Sequence, residues 1–158
     1  MQPVLVFLPL SAPEARTAAS VTLPGPLAGF AVTRELVDAL GYTSDMDEDA
    51  EYAALVLASV AGLARHGRRL VLVAEVPPDQ VGLGDDPSNG GVILARLEPR
   101  WVVSWFADEA SVDVTAAARA AAGLDLDDAW DVGAVQELVA SHELLWHGPT
   151  ELTAYGED

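Results

Sequence analysis

At 158 residues the chain has the size of one domain, long enough to bury a continuous core without disulfides or metal ions. A hydrophobic fraction of 51% with 21% charged residues excludes the composition of a disordered chain, and the absence of cysteine excludes disulfides, thiolate nucleophiles and cysteine metal ligands. The balance of 25 acidic against 8 basic side chains, a formal charge of −17, repels phosphate backbones and anionic membranes, which argues against direct nucleic-acid binding; such acidity ordinarily serves solubility, with mimicry of a nucleic acid as the sharper alternative.

The run from Val4 to Leu8 has no basic flank and is too short for a signal peptide or a membrane span, so it is predicted to be a first strand. No later stretch is long and charge-free enough to cross a membrane, and a cytoplasmic location follows by elimination. Lysine is absent and isoleucine and asparagine occur once each, as Ile93 and Asn89, while Ala, Gly, Arg and Pro abound. GC-rich codons, and hence a high-GC bacterium, account for that usage.

Ser11 with Glu14 three residues on, and Pro13 in the first turn, predict a capping-box helix over about 12–20. Pro24, Gly25 and Pro26 are read as a turn, 29–32 as a short strand, and Thr33 as the cap of a helix whose Leu36, Val37 and Leu40 share a face before Gly41 ends it. The acidic stretch 44–49 favours the start of the strongest helix, running to about His66 and Gly67. Its Tyr52, Leu55, Val56, Ser59, Val60 and Leu63 repeat at helical spacing and are predicted to face the core.

The continuous apolar run 70–76 suits a strand covered on both faces, and 79–91 reads as a loop. Strands over 92–97 and 101–106, joined by Glu98, Pro99 and Arg100, are predicted to pair as neighbours, with Trp101, Val103 and Trp105 alternating onto one buried face. Asp108 is taken as the cap of a helix through the alanine-rich stretch to Ala122. The Asp-rich linker 125–128 then leads into a last helix from about Asp131, with Val135, Leu138, Val139, His142, Leu145 and Trp146 as its apolar face. These elements predict a single α+β domain over 1–158, a mixed sheet of four or five strands with helix pairs near 34–66 and 109–146 packed on it.

Stretches that resemble chemistry-bearing motifs fail on spacing or residue type. His142 and His147 are five residues apart, about 140° round a helix, whereas a shared zinc needs the roughly 40° of an i, i+4 pair. Asp45, Asp47 and Asp49 imitate an EF-hand loop but Ala50 and Val56 stand where its glycine and glutamate belong. The glycine-rich stretch 82–91 carries Asp85 and Asp86 and is followed by no lysine, so it is neither a P-loop nor a dinucleotide fingerprint. No serine sits in a nucleophile elbow. No metal and no cofactor are expected, and no catalytic motif argues for an enzyme.

Four phrases, Phe30 to Thr33, Glu51 to Ala54, Val73 to Pro77, and His142 to Trp146 followed by Glu151 and Leu152, together resemble a family of actinobacterial proteins built on a domain of unknown function. The resemblance spans nearly the full chain and implies no activity. In that family Trp146 is followed by Tyr where this chain has His147, which counts further against a two-histidine metal site. It implies that Thr33, Glu51, His142, Glu143, Trp146 and Glu151 are the positions of functional interest. Two function classes stay open: a non-catalytic binding or regulatory protein with a protein partner, and a small enzyme or small-molecule binder using His142 with Glu143 or Glu51.

Overall fold

The computed structural model describes residues 2–155. Among these the chain forms one seven-stranded sheet with every pairing antiparallel, in the order β4-β5-β2-β1-β3-β6-β7. The strands are β1 (Val4–Pro9), β2 (Leu23–Ala31), β3 (Leu70–Val76), β4 (Val81–Leu83), β5 (Gly91–Leu97), β6 (Val102–Ala107) and β7 (Leu145–His147). Six helices accompany them: α1 (Ala12–Ala18), α2 (Arg34–Leu40), α3 (Asp47–His66), α4 (Thr115–Ala121), α5 (Leu126–Trp130) and α6 (Gly133–Ser141). The α+β class agrees with the sequence; a mixed sheet of four or five strands does not.

Local chemistry sets the early elements. Ser11 Oγ accepts from the Glu14 N–H at 3.3 Å while Glu14 Oε1 accepts from the Ser11 N–H at 3.0 Å, closing the capping box of α1. Thr33 Oγ1 accepts from the Leu36 N–H at 3.1 Å to start α2, and Gly41 ends that helix in the left-handed conformation. Alternation along β1 and β3 then divides the interior into two cores. Val6, Leu8, Leu70, Leu72, Ala74 and Val76 face α1, while Phe7, Val71 and Val73 face α3. A strand wet on neither face has no polar alternation, which is why 70–76 reads as continuously apolar.

Strands β5 and β6 are not neighbours: β2, β1 and β3 lie between them. Four strand spacings amount to about 19 Å sideways, whereas the five steps from Leu97 to Val102 reach at most about 18 Å. The register also carries Val102 across Ala74, Val6 and Ala31 toward the Gly91 end of β5, far from Leu97. The sheet therefore coils, bringing Leu23, Leu27, Leu94 and Leu97 over the same core as Trp101 and Trp105. The Pro24–Pro26 stretch, read from sequence as a turn, supplies the bend inside β2 as a register shift against β5. A side chain on Gly25 would meet the carbonyls of Ala95 and Leu94, the latter at 2.6 Å, so glycine is required where the strands press together.

Further differences have similar tertiary causes. Segment 79–91 contains β4 and two 3-10 turns rather than a plain loop. A second bulge in β6 leaves Val103 unpaired and turns it toward the α3 core, away from Trp101 and Trp105. Asp108 caps no helix, because it pairs with Arg69; α4 begins only at Thr115. The Asp-rich stretch read as a linker forms α5, and the last helix runs only from Gly133 to Ser141 as α6 before giving way to β7, so His142, Leu145 and Trp146 share no helical face. In α3, Leu55 is core as expected, but Tyr52 is 55% exposed.

Candidate functional site

The six positions singled out from sequence are not gathered into one site. Thr33 caps α2, and Glu51 stands exposed on α3. His142 is the exposed, extended residue after α6; its carbonyl, not its ring, accepts a 2.9 Å hydrogen bond from Arg69. His142 borders a shallow depression of about 240 Å³ with Asp113, Glu137 and Ser141, smaller than most ligand pockets. The Thr115 hydroxyl and then its backbone N–H hold the Asp113 carboxyl below the usual carboxylate range, a local capping arrangement at the start of α4. Neither Glu143 nor Glu51 lines that depression. Glu143 and Trp146 are exposed, the latter by 63% on edge strand β7.

Glu151 alone of the six belongs to a built cluster. Its Oε2 lies 3.0 Å from His147 Nδ1, and the His147 ring stacks on Trp105 with centroids 4.0 Å apart, as direct cross-strand partners do. Tyr155 meets Trp105 edge-on at 5.0 Å and receives a hydrogen bond from Arg68 at 3.3 Å. Together these residues border a cleft of about 610 Å³. Two of the bordering residues are also tied to groups outside it: Trp105 Nε1 donates to the Gly148 carbonyl at 2.9 Å, and Arg16 to the Tyr155 carbonyl at 2.6 Å. That arrangement fastens the C-terminal segment to the sheet.

A different place leaves large side chains partly in water. Between α2, α3, α5 and α6 an open groove of about 600 Å³ is bordered by Leu40, Tyr42, Tyr52, Val56, Trp130 and Val139. Leu40 is 39%, Tyr52 55% and Trp130 38% exposed. The left-handed turn at Gly41 carries the chain from Leu40 to Tyr42 on one wall. Tyr52 and Val56, one turn apart on α3, form the floor. On α5, Asp127, Trp130 and Asp131 stand at i, i+3 and i+4 and all border the groove.

The walls are tied together. Asn89 Nδ2 donates to Asp86 Oδ2 at 2.8 Å and to Asp127 Oδ1 at 2.9 Å, linking the turn before β5 to α5. Gly90 has φ of +81°, and a side chain there would press on Leu36 at 3.1 Å, so glycine lets this turn sit against α2. Gln136 donates to the Trp130 carbonyl at 3.1 Å and fixes the corner between α5 and α6. No basic side chain borders the groove among the described residues.

Helical spacing in the sequence predicts Tyr52 in the core and marks none of Tyr42, Asn89, Asp127, Trp130 and Asp131 as a site residue. The i, i+3, i+4 spacing on α5 is a legible signal, but the floor and facing wall come from residues some 75 to 90 positions earlier. Among the described residues no group of three or more His, Asp or Glu is placed to hold a metal ion, and no helix is long and apolar enough to cross a membrane. The profile of a family of unknown function (DUF6912) matches residues 4–154. No curated protein and no solved structure matches the chain.

Proposed function

The chain belongs to the DUF6912 family of unknown function, and we propose that it is a non-catalytic binding protein whose partner, another protein, docks in the groove between α2, α3, α5 and α6. The observation that carries this reading is the convergence of partly exposed Leu40, Tyr52 and Trp130 on one open groove. Isolated exposed apolar residues such as Leu83 are ordinary, but a cluster with Tyr and Trp in it has the composition of a protein interface. Tyr and Trp are also the residues that dominate interface energies, because they bury much area at little entropic cost. The hydrogen bonds of Asn89 and Gln136 hold the walls before any partner arrives, which lowers the cost of binding.

A photo-crosslinking amino acid at Leu40, compared with the same label at the distant Leu83, tests the proposal in extract of the source organism. We expect a discrete adduct from the Leu40 label only, lost when Trp130→Ala is added to a chain that keeps its circular dichroism spectrum. Identical adducts from both labels, or an adduct indifferent to Trp130→Ala, would overturn it. A second reading, a small enzyme or small-molecule binder, is favoured by the contact of Glu151 with His147 rather than by His142 with Glu143 or Glu51. It stands second because side chains bordering that cleft are already tied to one another and to the C-terminal segment, Glu151 to His147 and Tyr155 to Arg68.

A further inference from the structure

We infer that the docked partner inserts an arginine into this groove, its guanidinium lying against Tyr52 and Trp130 with Asp127 and Asp131 as counter-charges. This rests on the docking reading above and specifies the chemistry of the partner. On α5 the spacing i, i+3, i+4 sets Asp127 and Asp131 on the same face as Trp130, so carboxylate, indole and carboxylate follow one another along the wall. Tyr52 enters the same groove from α3. Rings flanked by carboxylates suit a cation, which is drawn to the negative ring face and to the charges beside it.

The carboxylates lack a countercharge of their own. Among the described residues neither Asp127 nor Asp131 forms an ion pair, although Asp127 Oδ1 accepts from the Asn89 amide. Asp131 also caps the C-terminal end of α5, where unpaired carbonyls already favour positive charge. The surrounding formal charge of −17 draws a cationic segment toward the groove and repels an anionic one. Arginine fits better than lysine because a planar, weakly hydrated guanidinium stacks on an aromatic ring while its edge donates to carboxylates on either side. The aliphatic border of Leu40, Val56 and Val139 calls for apolar neighbours beside that arginine, which a peptide segment supplies and a free cation does not.

The test uses the peptide acetyl-Ala-Leu-Arg-Leu-Ala-amide and its counterparts with citrulline, the neutral isostere, or lysine at the centre, titrated into the full chain by amide NMR. We expect the arginine peptide to shift resonances of Tyr52, Asp127 and Trp130, to bind about tenfold or more tightly than the citrulline peptide, and to weaken with added salt. Asp127→Asn and Asp131→Asn together should reduce the arginine peptide to the citrulline level and leave the citrulline peptide unchanged. Equal binding of the arginine and citrulline peptides in the groove would overturn the arginine while sparing the docking reading. Equal binding of lysine, shifts centred elsewhere, or no binding by any of the three peptides would also overturn it. The docking reading itself fails only in the crosslinking experiment, so the two failures are distinguishable.

Discussion

Arg69 is 3% exposed, and its guanidinium is the point where three separate segments meet. Nε donates to Asp108 Oδ2 at 2.9 Å, and one terminal nitrogen serves both the other Asp108 oxygen and the His142 carbonyl, the latter at 2.9 Å. Removing Asp108 strands a buried cation, so Asp108→Ala should cost about 3–5 kcal/mol. His142 contributes only a carbonyl that alanine keeps, so His142→Ala should stay within about 0.5 kcal/mol of the parent. Urea unfolding of the two variants checks the pair, and equal losses would contradict the assignment. In sequence, His142 continues the stripe of Val135 and Leu138, yet the helix ends one residue earlier, at Ser141. Periodicity describes a face; it does not say where a helix stops when no glycine or proline marks the end.

At the scale of elements, the 3-10 segment Pro149–Ala154 is short and has no strong local signal, but it closes the core on the α1 face of the sheet. Leu152 is fully buried there, and Tyr155 just beyond it is held by Arg16 and set edge-on to Trp105. Leu152→Ala should therefore cost about 2–5 kcal/mol, the range for deleting a core leucine. Leu83→Ala, at a site 86% exposed on β4, should be near neutral. Chemical denaturation of the two proteins compares them, and an unshifted midpoint for Leu152→Ala would mean that the C-terminal segment does not seal the core. The segment is invisible to pattern reading because its order comes from distant partners, Arg16 in α1 and Trp105 in β6.

At the scale of the whole molecule, 25 acidic side chains against 8 basic ones repel each other in the compact state. The Arg96–Glu98–Arg100 cluster offsets little of this, since two of its three members are well exposed and such pairs contribute little. Added salt should stabilise the fold: raising sodium chloride from about 10 mM to about 300 mM shortens the screening length from ~30 Å to well under 10 Å and should raise the melting temperature. A melting temperature that falls over that range would show that attractive pairs, not net repulsion, dominate.

Length, cysteine content, charge and apolar periodicity by themselves determined the α+β class, strand β1, the capped starts of α1 and α2, the extent of α3 and the doubly buried strand β3, because each rests on contacts within a few residues or on bulk composition. Tertiary structure alone decided that three strands separate β5 from β6, since the Pro24–Pro26 bulge and the coiling of the sheet bring Leu97 near Val102 without pairing their strands. It alone decided that Tyr52 is half exposed on a groove that Trp130 also borders, because the early turns of α3 bury Ala50, Ala54 and Leu55 and leave Tyr52 on the face that α5 and α6 do not fill. Groove, bulge and crossover all depend on which distant surfaces meet, and short-range pattern carries no record of that.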